Sequence, residues 1–226
     1  MKTVFLVLTA GLLIVTGCSS TRKVKETEHE EIKRDYDVRD SSSNFRPAWI
    51  EDVDQWSTQE EKDARWRWFA FETEPKVNRE IACNLAKANV RSDIAAEIST
   101  FIQKSLASSQ QGVAAIDANN PKTAPLSDYV QNTLAERVQS LVHGAAVNKT
   151  YWEKRDFQKS LGAKKDFVGF TCAVLVRMDA GQLKAAVEKA AEEVVKQAAD
   201  PETKENVKKA LENVDEDFVK ARQGEV

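Results

Sequence analysis

The fold of this chain is decided by one stretch in its C-terminal half, Phe167-Val168-Gly169-Phe170-Thr171-Cys172-Ala173-Val174-Leu175-Val176-Arg177-Met178-Asp179. Successive side chains of a β-strand point to opposite faces of the sheet, so alternate residues share a face. One face of this stretch is apolar throughout and consists of Val168, Phe170, Cys172, Val174, Val176 and Met178. Thr171 and Arg177 fall on the opposite face. The pattern predicts a strand in a sheet that is covered on one side.

Two further segments have the composition of strands. Residues 146–157 include Val147, Thr150, Tyr151 and Trp152, which favour a strand despite their charged neighbours. A turn is predicted at residues 160–163, so residues 146–157 and 167–179 should form a β-hairpin. Earlier in the chain, residues 66–71 are typical of an aromatic-rich first strand, which Pro75 ends.

Most other apolar residues recur at spacings of three and four, which predicts helices. The longest helix is predicted over residues 77–109. It has two apolar stripes, so we expect it to be buried on more than one side. One stripe is Ile81, Leu85 and Ala88, and the other is Cys83, Ala86, Val90, Ile94, Ile98 and Phe101.

The segment that follows this helix contains Gly112 and the steps Asn119-Asn120-Pro121 and Ala124-Pro125, so a loop is predicted over residues 112–125. A shorter helix should begin at Ser127-Asp128 and carry Val130, Leu134, Val138 and Leu141. Another helix is predicted over residues 183–198. Pro201 is well placed in the first turn of a final helix that runs to Arg222.

Together these elements predict an α+β fold, with a small antiparallel sheet, helices packed on one of its faces, and the order β-α-α-β-β-α-α. The domain is expected over residues 45–200, followed by a C-terminal helix over 201–226. Residues 18–44 alternate basic and acidic side chains and offer almost nothing to bury. Such a segment is expected to be a disordered tether, with a reach of up to roughly 90 Å.

The first eighteen residues have the features of an export signal. Lys2 provides a positive start, and an apolar run that is too short to span a bilayer ends in Val15-Thr16-Gly17-Cys18. This ending resembles the bacterial lipobox, in which the cysteine is acylated and the peptide is cut just before it. The resemblance implies that residues 1–17 are removed and that Cys18 carries lipid. Ser19, in the second mature position, implies sorting to the outer membrane. The alternatives are a plain cleaved signal and an uncleaved helix.

Composition and cysteine content limit the function further. The chain is 42% hydrophobic and 31% charged, with a formal net charge of -3. This balance is typical of a globular protein and argues against a nucleic-acid partner, which would require a basic face. Cys83 and Cys172 both fall on apolar faces, so they could be bonded to each other or buried as free thiols. The sequence leaves both alternatives open.

The sequence holds little material for catalysis. The chain has two histidines, in the tether and near a helix end, and it lacks a glycine-rich phosphate loop. We therefore predict no enzyme, no cofactor and no metal site. A protein-interaction surface is predicted on the hairpin, provided that its aromatic residues are exposed beside the basic ones. The residues concerned are Lys149, Tyr151, Trp152, Lys154 and Arg155.

Several motifs in this order resemble the lipoprotein-20 family of Gram-negative bacteria. They are the lipobox, the polar tether, Arg46-Pro47-Ala48-Trp49-Ile50, the alanine-rich stretch over residues 81–88 and the closing strand over 170–179. The resemblance implies a lipid-anchored docking module in the periplasm, with an unidentified envelope protein as its partner. One alternative is an activator of a peptidoglycan synthase or an envelope-assembly accessory. The other is a cell-envelope hydrolase with an unrecognised site.

Overall fold

The computed structural model describes residues 34–60 and 63–222 of the chain. Its centre is a four-stranded antiparallel sheet with the strand order β1-β3-β4-β2. The strands are β1 (Tyr36–Ser41), β2 (Trp66–Glu72), β3 (Ala146–Phe157) and β4 (Phe167–Asp179). The mixture of this sheet with helices confirms the predicted α+β class.

The predicted hairpin is the pair β3 and β4, whose register runs from Ala146 opposite Arg177 to Phe157 opposite Phe167. A short 3-10 turn at Lys159–Leu161 begins the connection between the two strands. Gly162 follows it with a φ of 109°, a backbone conformation that glycine adopts without steric cost. The strand boundaries agree with the prediction, although the first five residues of β3 are exposed and its register shifts between Val147 and Lys149.

Nine helices occur in the described part of the chain. They are α1 (Ala48–Glu51), α2 (Val53–Glu60), α3 (Arg79–Ser108), α4 (Gln110–Ala115), α5 (Ala124–Asn132), α6 (Leu134–Gln139), α7 (Ala180–Gln197), α8 (Pro201–Ala210) and α9 (Val214–Ala221). Side chains of Asn78, Asp179 and Asp200 cap α3, α7 and α8 by accepting backbone N–H groups of the first turn. None of these helices is both long and apolar enough to cross a bilayer.

The larger of two apolar cores lies between one face of the sheet and the helices. Phe69, Val174 and Met178 contribute from the strands, and Ile98 of α3 and Val187 of α7 contribute from the helices. All five side chains are fully buried. This is the helix-covered face that the alternation of β4 predicts.

A smaller core covers the other face of the sheet, so the prediction of helices on one face only is wrong. Trp49 of α1 packs there against Trp68, Tyr151 and Leu175 of the sheet, and Trp56 of α2 meets Trp68 edge to face. The second face of β4 carries Ala173 and Leu175 as well as polar residues. These apolar groups are sufficient to hold the two short helices.

The predicted extent of the tether is wrong over residues 36–41. These residues form β1, which pairs with β3 from Tyr36 opposite Phe157 to Ser41 opposite Glu153. Arg39 forms an ion pair with Asp156 across the strands at 2.6 Å, and the ring of Tyr36 lies 5.1 Å from that of Phe157. One charged side chain of this segment, Arg39, therefore has its partner on β3. The predicted signal peptide, Cys18 and residues 19–33 of the predicted tether lie outside the described residues.

Three predicted helix boundaries also need correction. Part of the predicted loop is helix α4, in which Gly112 allows close approach to the Leu106 carbonyl. The helix predicted to begin at Ser127 starts at Ala124, and it is broken at Thr133 into α5 and α6. The predicted C-terminal helix is likewise two helices, separated at Asn213, which has a φ of 64°.

Candidate interaction surface

The surface predicted on the hairpin is not present as a single surface, because adjacent strand residues point to opposite faces of the sheet. Tyr151 and Arg155 are buried on the side of α1 and α2. The Tyr151 hydroxyl donates a hydrogen bond to Glu153 at 2.9 Å, and Arg155 donates to the same carboxylate at 2.7 Å. These two residues therefore support the fold instead of facing a partner.

The three remaining residues of the predicted surface do not lie on one face of the sheet. Trp152 is half-buried against the larger core, with the Arg79 guanidinium 5.0 Å above its ring. Lys154 is on the same side of the sheet as Trp152, above the ring of Phe170. Lys149 is exposed, but its amine lies over the Trp56 ring on the opposite side. The five residues thus split between the two faces of β3.

Cys83 and Cys172 form a disulfide that joins α3 to β4, with 5.0 Å between their Cα atoms. Cys83 is on the side of α3 that faces the sheet, and Cys172 is fully buried on the helix-covered face of β4. The two apolar faces that the sequence predicts for these residues are therefore packed against each other. The alternative of two free buried thiols does not apply.

An exposed row of apolar side chains lies at the start of α3. Val77, Ile81 and Leu85 follow each other at intervals of four residues and are 82%, 42% and 37% exposed. The prediction that the stripe containing Ile81 and Leu85 is buried is wrong. The buried side of α3 is a different row, which consists of Ala82, Ala86, Val90, Ile94, Ala95, Ile98, Ser99, Ile102 and Leu106. We call Val77, Ile81 and Leu85 the apolar row.

A groove of about 300 Å³ continues the apolar row between α3 and the end of β2. Phe71, Leu85 and Ala86 provide its apolar part. The remaining lining residues are polar, namely Glu72, Thr73, Glu74, Lys76, Asn89 and Asp93. Burial raises the pKa of the Asp93 carboxyl. Its lining has three carboxyl groups and one lysine, Lys76, which lies 3.9 Å from Glu74. The lining is therefore acidic on balance, and we refer to the groove as the α3 groove.

Glu72 connects this groove to a buried ion-pair network. Its carboxylate accepts hydrogen bonds from Arg46 at 2.7 Å and from Arg155 at 2.5 Å. Burial by itself would raise the pKa of Glu72, but the two guanidinium groups outweigh burial and hold the pKa below its usual range. The network therefore fixes one wall of the α3 groove. It also ties Arg46, just before α1, to the sheet.

A second charged cluster surrounds Arg222 at the end of α9. Its guanidinium donates to the Trp68 carbonyl of edge strand β2 at 2.6 Å and lies 4.6 Å from the Phe69 ring. Carboxylates of Asp54 and Glu97 approach it at 3.3 and 3.4 Å. Burial raises the pKa of both carboxyl groups, although Arg222 opposes the shift. A pocket of about 410 Å³ adjoins the cluster.

Sequence reasoning missed the network, the Arg222 cluster and the exposure of the apolar row. One signal for the network is present in the sequence. Glu153 and Arg155 share a face of β3 with the aromatic Tyr151, and a charged pair among buried positions predicts mutual neutralisation. No such signal exists for the apolar row, because helical spacing cannot tell which of two stripes faces the sheet.

Comparison with known proteins adds no relative. No family model, no curated protein and no solved structure matches the chain. Within residues 34–60 and 63–222, no cluster of three or more His, Cys, Asp or Glu side chains has an arrangement suited to a metal ion. The surface features described above therefore provide the basis for a functional proposal.

Proposed function

We propose that this chain is a lipid-anchored protein of the cell envelope whose α+β domain docks a partner protein in the α3 groove. The observation that carries the docking proposal is the apolar row, exposed at the mouth of an acidic groove. Exposed apolar groups that adjoin each other and have a polar rim are typical of interaction surfaces. The resemblance to the lipoprotein-20 family supports the same kind of function.

The cysteines support the anchoring half of the proposal. The chain has three cysteines, and Cys83 and Cys172 are joined to each other. A structural disulfide fits an exported protein, because oxidising compartments preserve such bonds. Cys18 is the remaining cysteine, and it directly follows the lipobox-like residues 15–17. We propose that it carries the lipid and that Ser19 sorts the protein to the outer membrane, facing the periplasm.

The α3 groove favours a partner segment of defined chemistry. Its acidic rim, which includes Glu74 and Asp93, attracts a lysine or arginine side chain. The apolar row beside it offers contact area to one or two aliphatic or aromatic side chains. We propose that the partner is an envelope protein that presents such a segment. Under the family resemblance, a peptidoglycan synthase or an envelope-assembly protein is the class of partner to test first.

The anchoring proposal is tested by substituting Cys18→Ala and comparing the membrane fractions of cells that express the native and variant chains. We expect native protein in the membrane fraction, with a mass that shows acylation of residue 18, and loss of that acylation in the variant. Equal membrane partitioning without acylation in either form would overturn the lipid anchor.

The docking proposal is tested by chemical cross-linking in intact cells with Ile81→Glu and with Val113→Glu as the matched control. Val113 is also an exposed apolar residue, and it lies on α4, away from the groove. For the Ile81 variant we expect the yield of one defined cross-linked envelope protein to fall roughly tenfold, because removing a charged side chain from water into an apolar contact costs free energy. An unchanged adduct for Ile81→Glu, or an equal loss for both variants, would contradict docking in the α3 groove.

A second candidate function is hydrolysis of an envelope polymer, and the Arg222 cluster is the observation that favours it. Carboxyl groups with a raised pKa beside a pocket are typical of general acids. Arg222 already occupies the space between Asp54, Glu97 and the β2 edge, which favours a structural role. The hydrolase would be supported instead if the native protein hydrolyses peptidoglycan and the Glu97→Gln variant does not.

A further inference from the structure

The chain enters the folded domain at one particular end of the sheet. Tyr36, the first residue of β1, is opposite Phe157 at the end of β3. The Gln158 N–H donates to the Asp35 carbonyl at 3.1 Å, so residues 34–35 run beside the β3–β4 connection. The Phe157 ring in turn stacks on that of Phe167 at 4.4 Å. Arg34, the first residue that the structure describes, therefore lies beside this connection. We call residues 158–168 the sheet tip.

The sheet tip is both basic and apolar. Lys159, Lys164 and Lys165 are all exposed there. Its one carboxylate, Asp166, accepts a hydrogen bond from the backbone N–H of Lys159 at 2.7 Å. The exposed large apolar residues of the tip are Leu161, Phe167 and Val168. Lysines that surround exposed apolar side chains are typical of surfaces that contact anionic lipid, since the amines meet phosphates while the apolar groups enter the interface.

We propose that the sheet tip rests on an anionic phospholipid surface and so orients the domain on the membrane. This inference rests on the proposed lipid anchor at Cys18. Arg34 is sixteen positions after Cys18, and a chain of that length spans at most about 58 Å. The anchor therefore confines the tip to the neighbourhood of the bilayer, where even weak contacts are effective because the local lipid concentration is high.

The strand order gives this orientation a consequence for docking. β1 is at one edge of the sheet and β2 is at the other. The α3 groove lies along β2. The sheet tip joins the two central strands, and the groove residue Lys76 pairs with Phe170, two residues beyond the tip, so the groove and the tip lie at the same end of the sheet. Contact of the tip with lipid would therefore hold the groove close to the membrane surface.

The strength of the contact can be estimated from its charges. Each basic side chain near an anionic bilayer strengthens binding by roughly fivefold, so three lysines together contribute about 100-fold at low ionic strength. That contribution falls as salt screens the charges. The tip contact is thus expected to be reversible, in contrast to the anchor itself.

The test uses the full acylated protein, purified in detergent and reconstituted into vesicles of phosphatidylcholine alone or of phosphatidylcholine and phosphatidylglycerol at about 7:3. Amide hydrogen exchange is measured by mass spectrometry. The tip variant is Lys159→Glu, Lys164→Glu, Lys165→Glu. The matched control is Lys204→Glu, Lys208→Glu, Lys209→Glu on α8, where all three lysines are also exposed and the change in net charge is identical.

We expect amides of residues 159–168 to exchange at least threefold more slowly on anionic than on neutral vesicles, in the native protein and in the α8 control. The tip variant should lose this difference. Equal exchange on both vesicles, or equal loss in both triple variants, would overturn the tip contact while leaving the anchor intact. Protection that appears only when a protein partner is added would assign the tip to protein binding and overturn the lipid proposal. A protein that lacks acyl groups on Cys18 and does not stay with vesicles would overturn the anchor and the tip contact together.

Discussion

Glu153 shows how a single residue can decide the local design of the sheet. Its side chain is 2% exposed, and its partners are Arg155 at 2.7 Å and the Tyr151 hydroxyl at 2.9 Å. Burial by itself would raise the pKa of Glu153, but these partners outweigh burial and hold the pKa below its usual range. The carboxylate is therefore charged in the folded protein. Its removal would leave Arg155 with less compensation in a buried site.

We predict that Glu153→Gln lowers the free energy of unfolding by about 3 kcal/mol at pH 7. A carboxyl group whose pKa is lowered by folding stabilises the folded state at pH values above its pKa in the unfolded chain. This stabilisation is lost as the pH falls through its pKa in the folded protein. The difference between the variant and the native protein should therefore be smaller at pH 3 than at pH 7. Urea unfolding at both pH values measures this, with the exposed Glu212→Gln as the control. A constant difference at all pH values would contradict the charged network.

The contribution of Glu97 to stability should have the opposite dependence on pH. Burial raises its pKa, Asp54 and Asp93 add to the shift, and Arg222 opposes it. A carboxyl group whose pKa is raised by folding stabilises the folded state at pH values below its pKa in the unfolded chain. This stabilisation is lost as the pH rises through its pKa in the folded protein. We predict that Glu97→Gln is more stable than the native protein at pH 7 and equal to it at about pH 3. A loss of stability at pH 7 would show that the pairing with Arg222 outweighs burial.

At the scale of secondary-structure elements, the prediction is correct where the sequence pattern is strong and wrong where charged residues obscure a strand. The sequence predicts β3, β4 and α3 nearly to the residue. The apolar positions of β4 and α3 repeat regularly, and the β-branched and aromatic residues of β3 favour a strand. The sequence does not predict β1, whose charged residues pair with partners on β3 that are more than a hundred positions away. The breaks at Thr133 and Asn213 are also missed, since apolar spacing continues across both.

The disulfide links two elements that are distant in sequence, and its removal should be costly. Cys83 and Cys172 are separated by 89 residues, and a cross-link of that length stabilises by roughly 4–5 kcal/mol through the entropy of the unfolded chain. We predict a loss of this size for the double variant Cys83→Ala, Cys172→Ala in urea unfolding. The detection of two free thiols in the denatured, unreduced mature protein would contradict the bond.

The assignment of residues 36–41 to the sheet predicts slow amide exchange in β1. Amides that bond to β3 are protected as long as the strand stays paired, whereas a tether would exchange at the rate of an unstructured peptide. We expect protection in native protein, and reduced protection in Asp156→Ala because Arg39 loses its ion pair. Complete exchange of the β1 amides within the first seconds, with the rest of the sheet protected, would show that residues 36–41 belong to the tether and not to the sheet.

At the scale of the whole molecule, the sequence predicts the α+β class and the faces of the cysteines but misplaces the interaction surface. The hairpin residues Tyr151 and Arg155 become buried because α1 and α2 cover that face. These short helices leave almost no periodic signal. The α3 groove depends on which side of α3 faces the sheet and on the position of β2 at the edge. Both are properties of the assembled fold, which explains why local sequence patterns do not indicate the groove.

The central claim is that the α3 groove holds an apolar segment with a basic residue from an envelope protein. Its most direct test places a photo-reactive amino acid at Leu85, and at Val113 as the control, in otherwise native protein in intact cells. We predict a discrete adduct from position 85 whose cross-linked peptide contains lysine or arginine. We also predict that substitution of the exposed Glu74 by lysine, Glu74→Lys, weakens this adduct. The same adducts from both positions, or an adduct insensitive to Glu74→Lys on a peptide without a basic residue, would contradict the claim.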